Sequence, residues 1–445
     1  MSSVWFLVVH FLLLALISPI AVSQASTHDV DGIHLNIYRH AKSNSSLSSK
    51  SFAYYDKERA KALCLKLAHY VAADNTTSIS TSQLPVKSMV ALGGSGFYTK
   101  IGLGTPTNYY SMDIDSANAF TWLQCLPCSK HCHAQENSIF DPHTSQTHKY
   151  FSCASSQCSL LKITTGSDPS CDATSNVCEY QQNYQDGSYS TGYLSQDLLT
   201  LSQSQTLSGF VYGCGQDNRG NFYGRSAGVL GLARDSLSMV GQLSSKFGYA
   251  FTYCLPTEGG QGGFLSFGSN SLGTPSAYKF TPLIQNSNSP TLYLVTLTGI
   301  TVAGKPLAVS VSNYKIPTIL DSGAAVTNLP ASLLPTLRTT FAQIMSKKYR
   351  KVPASGGSDI CFYGSLSSVT EVPEIKLLFD GGADLTLGAN NILIKGQIAG
   401  TVCLAFDLTP NNYEIGIIGS QQQLTFKVAY DISNSRVGFA AGGCT

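Results

Sequence analysis

From about residue 96 onward, apolar and polar residues alternate in short runs separated by Gly, Pro, Asn and Ser. Runs such as FYTKIGL, YLVTLTGITV and RVGFA have the two-residue period of half-buried β-strands, and the residues between them favour turns. Helical periodicity is confined to residues 236–247 and 331–349 in this part of the chain. The pattern predicts an all-β body with occasional helices.

The β body repeats itself weakly. An apolar strand ends in Asp-Ser and a small residue twice, at 115–117 and again at 321–323, and each copy is followed downstream by two apolar residues and Gly. Two duplicated β lobes, each with one Asp at a tight turn, account for this most simply. Because FGSNSLGTPS breaks the strand pattern, we place the N-terminal lobe at 91–270 and the C-terminal lobe at 271–445.

The N-terminus has the composition of an export signal. The first 26 residues contain no Asp, Glu, Lys or Arg, and the apolar run is interrupted by Pro19. Ala21 and Ser23 are small residues suited to cleavage, which favours a signal peptide over 1–23 rather than a membrane anchor. No later run is apolar for long enough to cross a bilayer. We therefore expect a secreted protein with no membrane partner.

Residues 24–90 differ in composition from the β body. Ser- and Thr-rich tracts flank a helical pattern over 53–73, and both glycosylation sequons, at Asn44 and Asn75, lie in this segment. It holds eight Lys and Arg against five Asp and Glu, whereas the body has 20 basic and 21 acidic residues. This charge difference suits a pro-segment that covers an acidic cleft until acidification releases it. A flexible linker is the alternative.

Cysteine usage fits an oxidising compartment. Of 13 cysteines, Cys64 lies alone and the other twelve run from Cys125 to Cys444, an even number that allows six disulfides. The dense first group, with His131 and His133 beside it, also allows a zinc site. Thiols of exported proteins are more often paired than metal-bound, so we expect disulfides of undetermined pairing, no metal and no cofactor.

Several stretches together resemble a known family. In chain order they are the first Asp-Ser motif, FTWLQCLPC, YQDGSYSTGYL, FTYCLP, the second Asp-Ser motif and IIGSQQQLTFKVAYD, from about residue 94 to the end. The chain thus resembles the pepsin-like aspartic proteases, and in particular their plant nepenthesin-like branch. The resemblance implies a monomeric, bilobal, pepsin-like β fold made as a zymogen, with a cleft that accepts protein or peptide substrates. The expected location of the exported protein is extracellular, in the cell wall or apoplast, with the vacuole as the alternative.

The resemblance also implies the site. Two carboxylates held close together cannot both ionise readily, so they share a proton and activate a water that attacks the peptide carbonyl. Hydroxyls next to each carboxylate would brace the loops, and a flap tyrosine on an Asp-Gly hairpin would cover the substrate. The residues concerned are the catalytic Asp115 and Asp321, with Ser116, Ser322, Gly323 and Tyr184 in support.

The first motif departs from the family pattern of Asp-Thr-Gly-Ser. Ala117 replaces Gly, and Asp113 adds a charge to a strand that is usually apolar, which predicts a raised pKa for Asp115. In the second motif Ala324 replaces a hydroxyl residue, which predicts a raised pKa for Asp321. These changes predict a weaker enzyme with an optimum at higher pH.

Two other functions are considered. A catalytically impaired homologue that acts as a protein-binding or inhibitor module would keep the cleft without the chemistry. A serine hydrolase is suggested by Gly-Arg-Ser-Ala-Gly at 224–228, but a strand comes after this motif where a helix is needed, and no His occurs beyond residue 148. The net charge of +2 gives no reason to expect nucleic acid as a partner. The aspartic endopeptidase is therefore favoured.

Overall fold

The computed structural model describes most of the chain beyond its first 32 residues. The predicted signal peptide and both sequons, Asn44 and Asn75, lie outside the described residues, and nothing in the described ranges forms a helix both long and apolar enough to span a membrane. The described ranges are 33–40, 49–71, 96–184, 187–220, 226–258, 260, 262–287, 289–353 and 360–444.

Strands dominate the described ranges, as the alternating pattern predicts. The strands of the first half, in chain order, are β1 Ile33–Arg39, β2 Phe97–Leu103, β3 Asn108–Asp115, β4 Trp122–Gln124, β5 Lys149–Tyr150, β6 Ser170–Asp172, β7 Val177–Asn183, β8 Tyr189–Thr200, β9 Thr206–Arg219, β10 Gly228–Gly231, β11 Ala250–Cys254, β12 Gly263–Phe267 and β13 Lys279–Pro282. Those of the second half are β14 Leu294–Val302, β15 Lys305–Pro306, β16 Ile316–Leu320, β17 Thr327–Leu329, β18 Lys351–Val352, β19 Cys361–Tyr363, β20 Ile375–Phe379, β21 Asp384–Leu387, β22 Leu393–Lys395, β23 Thr401–Leu404, β24 Phe406–Leu408, β25 Gly416–Ile418, β26 Lys427–Asp431 and β27 Arg436–Ala440.

Helices are few and mostly short. The α-helices are α1 Ser49–Val71, α2 Ser156–Thr165, α3 Met239–Phe247, α4 Leu334–Met345, α5 Ala389–Ile392 and α6 Ser420–Gln423. Single 3₁₀ turns occur at Pro142–Thr144, Ser269–Leu272, Pro275–Ala277, Val311–Asn313, Asp380–Gly382 and Pro410–Asn412.

The three predicted helices are present as α1, α3 and α4, with ends that differ from the prediction. Helix α3 begins three residues late because Ser238 is its N-cap and accepts a hydrogen bond from the Gly241 N–H. Helix α2 was not predicted, although Ser155 caps its start and Gly166 ends it in the left-handed conformation. Its short, Cys-containing sequence has little helical periodicity, which explains the omission.

One large sheet joins strands from both halves of the chain. Its order is β13-β27-β26-β11-β12-β1-β2-β3-β10-β4-β9-β8-β7-β6, with β5 beside β8. Strand β1, from the predicted pro-segment, lies inside this sheet and pairs antiparallel with β12 on one side and β2 on the other. The alternation of Ile33, Leu35 and Ile37, which are all buried, predicts such a strand, but the polar character of the segment hid it.

Two smaller sheets belong to the second half. One has the order β21-β20-β14-β16-β25-β17-β24 with β15 beside β14, and the other has the order β18-β19-β23-β22. Strand β16 pairs in parallel with β25 just as β3 pairs in parallel with β10. This repeated arrangement is the duplication seen in the sequence, and the prediction of an all-β bilobal fold is confirmed. The lobe boundary near residue 270 stays a prediction.

All twelve cysteines from Cys125 onward form disulfides, so the cysteines of the possible zinc cluster are paired with one another or with a distant strand. Cys64 is unpaired and buried in α1. The pairs are Cys125–Cys214, Cys128–Cys132, Cys153–Cys171, Cys158–Cys178, Cys254–Cys444 and Cys361–Cys403.

Candidate active site

Both candidate catalytic residues lie at the ends of strands held by a parallel neighbour. Asp115 is the last residue of β3 and its carbonyl accepts the Leu232 N–H at 2.9 Å. Asp321 comes directly after β16, and its N–H donates to the Ile418 carbonyl at 3.1 Å. Regular strand pairing therefore fixes the backbone position from which each carboxylate projects.

The two Asp-Ser loops are linked by a reciprocal pair of hydrogen bonds. The Ser116 N–H donates to the Ser322 hydroxyl at 3.0 Å, and the Ser322 N–H donates to the Ser116 hydroxyl at 2.9 Å. Both serines are fully buried, so these bonds are shielded from competing water. The sequence predicts bracing hydroxyls at these two positions. In the structure each hydroxyl accepts its hydrogen bond from the backbone of the opposite loop.

Each carboxylate also accepts a backbone N–H from its own loop. Ala117 donates to Asp115 Oδ1 at 2.9 Å, and Gly323 donates to Asp321 Oδ1 at 2.8 Å. The two loops thus have the same local hydrogen bond despite the Ala-for-Gly difference. Ala117 does not have a positive φ, so the methyl group causes no strain of that kind.

A guanidinium from helix α1 lies between the two carboxylates. Arg59 Nη2 is 2.7 Å from Asp115 Oδ1 and 2.6 Å from Asp321 Oδ1, so those two oxygens are at most 5.3 Å apart. Arg59 Nε donates to Asp321 Oδ2 at 2.7 Å and Nη1 donates to Asp115 Oδ2 at 3.1 Å. Arg59 therefore binds both carboxylates in the bidentate manner of strong ion pairs, and the structure brings Asp115 and Asp321 together around it.

Burial and charge act in opposite directions on these groups. Burial raises the pKa of Asp321, the Arg59 charge lowers it, and the neighbouring Asp115 raises it again, with a net rise. The direction matches the prediction for Asp321, but burial rather than the loss of a hydroxyl at Ala324 is the main cause. Burial alone would lower the pKa of Arg59, yet Asp115 and Asp321 together raise it above its ordinary value.

Gly323 leaves the space that the guanidinium occupies. A Cβ built on Gly323 would lie 2.2 Å from Arg59 Nη2 and 2.3 Å from Cζ. The methyl group of Ala117, at the equivalent place in the first loop, is instead buried among apolar residues that include Tyr184. The two loops thus differ in the room they offer at the centre of the cleft.

Helix α1 has a second polar contact with the C-terminal loop. Asp56, one turn before Arg59, accepts the Ala325 N–H at 2.6 Å and the Val326 N–H at 3.4 Å. Burial raises the pKa of Asp56 to about 7, although both N–H groups and Arg59 act to lower it. The positions after Gly323 have methyl rather than hydroxyl side chains, so the backbone supplies the donors.

The apolar face of α1 fills the cleft beyond the carboxylates. Ala60, Leu63 and Leu67 are fully buried in one cluster with Tyr184 and with residues of both halves. The Lys66 carbonyl accepts the Ser289 hydroxyl at 2.9 Å. Helix α1 is thus an integral part of the folded cleft in this chain.

The predicted flap hairpin is formed by β7 and β8. The Tyr184 N–H donates to the Ser188 carbonyl at 2.9 Å, and Gly187 has the positive φ of 84° expected at such a turn. The Tyr184 hydroxyl accepts hydrogen bonds from Trp122 Nε1 at 2.7 Å and from Asn118 Nδ2 at 3.1 Å. Tyr184 is 4% exposed and close enough to Asp115 for that charge to raise its pKa further, after the larger effect of burial.

Asp113, the unusual acid of the first strand, has its own partners. His40 Nε2 lies 2.7 Å from its carboxylate, and the Ser226 hydroxyl donates to the same oxygen at 2.6 Å. The predicted rise in the pKa of Asp115 stays a prediction. The hydroxyl of Ser226, in the Gly-x-Ser-x-Gly motif, is also 3.3 Å from His40 Nε2. The same ring nitrogen contacts Asp113, whereas a catalytic triad uses both nitrogens of the ring, and Ser226 is 2% exposed, so this group lacks the arrangement of a serine nucleophile.

Arg59, Asn118 and Trp122 were missed by the sequence reasoning. Arg59 is one of eight basic residues in its segment, and its contacts lie 56 and 262 residues away along the chain, so no local signal marks it. Trp122 lies within the quoted FTWLQC stretch, and Asn118 is the fourth residue of the first motif. Among the described residues, no group of three or more His, Cys, Asp or Glu side chains is arranged to hold a metal.

Two family models match this chain. The model described as xylanase inhibitor N-terminal matches residues 97–269, and the model described as xylanase inhibitor C-terminal matches residues 292–441. Together they cover most of the chain, with residues 270–291 between the two matches.

Curated relatives are similar over nearly the whole length. An aspartyl protease family protein of Arabidopsis thaliana is 35% identical over 391 residues, which is 88% of this chain and 81% of the relative. Aspartic proteinase nepenthesin-2 of Nepenthes gracilis is 32% identical over 81% of this chain and 80% of its own length. Aspartyl protease AED1 of Arabidopsis thaliana is 33% identical over 91% and 84%, respectively.

Solved structures share the fold at lower identity. A crystal structure titled edgp has a TM-score of 0.63 at 20% identity and covers 80% of this chain and 94% of its own. Basic 7S globulin from soybean has a TM-score of 0.61 at 22% identity, with 80% and 95% coverage. At these identities the similarity concerns the architecture alone.

Proposed function

Because this chain belongs to the plant aspartic protease family, we propose that it is an aspartic endopeptidase whose dyad is Asp115 and Asp321. The observation that carries the proposal is the sharing of one Arg59 nitrogen by an oxygen of each carboxylate, at 2.7 and 2.6 Å. Two carboxyls at this separation, joined by the Ser116 and Ser322 bridge, form a unit that can hold one proton between them.

That unit supplies both the base and the acid of the reaction. With the cleft open, the ionised carboxyl takes a proton from a water while the protonated partner donates to the carbonyl oxygen of the peptide bond. Water attacks the carbonyl carbon directly and gives a tetrahedral diol. The proton taken from the water then passes to the amide nitrogen, the carbon–nitrogen bond breaks, and a hydroxyl of the diol returns a proton to the carboxyl that had donated one. The backbone N–H groups of Ala117 and Gly323 keep the carboxyls in place during this exchange. Peptide or protein is the expected substrate, bound as an extended strand.

We further propose that the chain is a zymogen in which helix α1 is the inhibitory element. The Arg59 guanidinium occupies the place between the carboxyls that the attacking water needs. Ala60, Leu63 and Leu67 exclude an extended peptide from the adjoining cleft. Secretion, processing of a signal peptide over 1–23 and glycosylation at Asn44 and Asn75 belong to the same proposal and are supported by the sequence.

Acid is the expected trigger for release. The positive charge of Arg59 favours the ionised form of Asp321 and opposes the rise in its pKa that burial causes, whereas a dyad freed of Arg59 shares one proton. The released state therefore binds more protons at the dyad than the docked state, so falling pH weakens docking there.

The test is peptide cleavage by the purified chain after incubation across the pH range. We expect no cleavage at neutral pH, conversion to a shorter form in acid, and then cleavage that pepstatin-type inhibitors stop. Asp115→Asn and Asp321→Asn should each lower kcat by at least about 10³-fold, since neither amide can act as base or acid in the dyad.

The matched control is Asp113→Asn, which changes the same residue type two positions before Asp115. This variant should retain activity within about tenfold because Asp113 is paired with His40 and Ser226 outside the dyad. A correctly folded, processed chain that cleaves no peptide at any pH would establish the inactive protein-binding or inhibitor module instead. The relatives' names support the enzyme.

A further inference from the structure

Asn118 is a buried polar side chain to which the reaction scheme gives no role. It is 2% exposed and lies three residues after Asp115 in the first catalytic loop. Its Oδ1 accepts the Phe120 N–H at 3.0 Å, and its Nδ2 donates to the Tyr184 hydroxyl at 3.1 Å. The family motif has Ser at this position, where this chain has Asn.

The orientation of the Asn118 amide is fixed by its first contact. A backbone N–H can only donate, so the side-chain atom that faces Phe120 is the oxygen. The NH₂ group consequently faces Tyr184, and it can only donate a hydrogen bond there. The Tyr184 oxygen must be the acceptor in that contact.

The second neighbour of the Tyr184 hydroxyl has the same property. The indole N–H of Trp122, at 2.7 Å, is a donor only. Both acceptor sites of the phenol oxygen are therefore filled by N–H groups, and its own hydrogen is the one remaining group. Among the described side chains and backbone groups, no acceptor is found for that hydrogen, and Asp115 lies near enough to influence the phenol.

We propose that Asn118 is a positioning residue that makes Tyr184 an obligatory hydrogen-bond donor to the peptide in the cleft. With two N–H groups directed at its oxygen, the phenol cannot turn its hydrogen back into the protein. It presents the hydrogen to a backbone carbonyl oxygen of an extended substrate instead. The same contact joins the flap to the loop of Asp115, so flap and dyad are positioned together. The proposal rests on the proposed endopeptidase function.

A double-mutant cycle tests this coupling. Asn118→Leu keeps the shape without the amide, and Tyr184→Phe keeps the ring without the hydroxyl. We expect each single change to lower kcat/KM by on the order of tenfold, the usual effect of one directed hydrogen bond. Asn118 acts through the phenol in this proposal. In a Tyr184→Phe background, adding Asn118→Leu should therefore lower kcat/KM by less than about a further twofold.

A merely structural role predicts a different result. Asn118→Leu also removes the acceptor of the buried Phe120 N–H, and that loss is the same whether or not residue 184 has a hydroxyl. If the two effects are independent, kcat/KM of the double variant falls by on the order of a hundredfold, and that result overturns the proposal. Asn118→Ser, which restores a hydroxyl, should recover part of the activity lost in Asn118→Leu.

A spectroscopic cycle separates this proposal from the proposed function. Trp5 and Trp122 are the only tryptophans in the chain, so Trp5→Phe in the full chain leaves Trp122 as a single reporter beside Tyr184. We expect Asn118→Leu to shift the Trp122 emission, and to cause no shift when Tyr184 is already Phe. Absence of peptide cleavage with this fluorescence coupling intact refutes the endopeptidase alone. Emission unaffected by Asn118→Leu refutes the positioning role, whatever the activity.

Discussion

At the scale of single residues, the site is an ionic cluster of three side chains, Arg59, Asp115 and Asp321, which come from three distant places in the chain. Asp115 and Asp321 have the same strand-end setting and the same backbone donor, so their difference arises from what surrounds them. Arg59 compensates two buried carboxylates at once, and a buried pair that loses its partner leaves a costly uncompensated charge. The cluster is therefore stable only while α1 is docked or the carboxyls have taken up a proton.

Arg59→Met tests this dependence. The variant keeps the aliphatic stem but removes the guanidinium that contacts both Asp115 and Asp321, and leaves them only the longer-range charge of Lys66, so docking of α1 should favour protonated carboxyls. We expect acid conversion at least about tenfold faster, and a conversion threshold at higher pH. Conversion is followed by gel electrophoresis over time at each pH.

The control for that experiment is Lys57→Met on the same helix. Lys57 is exposed, so this change removes the same unit charge without touching the dyad and should leave the conversion rate nearly unchanged. Equal acceleration by both variants would mean that the net charge of the segment, rather than the contact with the dyad, controls release.

Ala117→Gly addresses the weakness predicted for the first motif. The methyl group is buried beside the dyad and Tyr184, and the equivalent Gly323 leaves room at the centre of the cleft. Removing the methyl should raise kcat by about three- to tenfold through better placement of the reacting groups. Ala250→Gly in β11 is the control, with no expected gain. A processed Ala117→Gly enzyme no faster than the parent would remove Ala117 as a source of weakness.

At the scale of elements, α1 and β1 belong to the folded structure although their segment resembles a linker in composition. Strand β1 ends at Arg39, and the next residue, His40, pairs with Asp113 of β3 and stacks on Tyr98 with ring centroids 4.5 Å apart. Helix α1 then places Asp56 and Arg59 one turn apart on the C-terminal loop and the dyad. Acid acts in opposite directions on these two contacts: it weakens the docking of Arg59 on the dyad and strengthens the docking of Asp56.

Asp56 opposes acid release, and Asp56→Asn should reveal this. Burial raises the pKa of Asp56 to about 7 from an ordinary 3.8, so docked Asp56 holds a proton that it loses on release anywhere between these values. Its contribution to docking is thus fully present below about pH 3.8 and is lost as pH rises through about 7. The dyad takes up a proton on release, which favours release in acid, so the two effects partly cancel.

An Asn at position 56 can still accept the Ala325 N–H but does not titrate. We expect Asp56→Asn to convert more slowly near pH 6, by on the order of tenfold, and at the parental rate near pH 3.5, which gives a steeper pH dependence. Conversion rates measured at half-unit intervals of pH check this. Parallel pH profiles for parent and variant would exclude Asp56 as a titrating group in docking.

The sequence predicted the parts of the fold whose signal is local. The Asp-Ser motifs after apolar strands, the Asp-Gly hairpin beside Tyr184 and the helices of α1, α3 and α4 are all encoded in neighbouring residues. The contacts of Arg59 and the disulfide partners depend on residues far apart, and residue spacing does not determine them. Strand β1 has a weak local signal. Ile33, Leu35 and Ile37 alternate with polar residues, but an alternation of three residues does not stand out within a polar segment.

At the scale of the whole molecule, Ile33, Leu35 and Ile37 of the predicted pro-segment share one hydrophobic cluster with residues of both halves. The large sheet runs from β13 and β27 of the second half through β12, β1 and β2 to the flap strands, so β1 lies in the middle of the sheet rather than at an edge. Its two neighbours, β12 and β2, make no direct ladder with each other. Hydrogen bonding on both sides of β1 therefore carries the continuity of the sheet in this form of the protein.

This position predicts that substitutions at adjacent residues of β1 lower the free energy of unfolding by very different amounts. Leu35 is 5% exposed and faces the core opposite Leu265, whereas Asn36 is exposed. Leu35→Asp would bury an unpaired carboxylate in the centre of the sheet at a cost of more than about 4 kcal/mol, a large share of the stability of an ordinary domain. Asn36→Asp changes the charge equally but should cost less than about 0.5 kcal/mol. Thermal unfolding of the two full-length variants at pH 7 makes the comparison. If Leu35→Asp unfolds at the same temperature as Asn36→Asp, β1 is a dispensable strand and the sheet is held together without it.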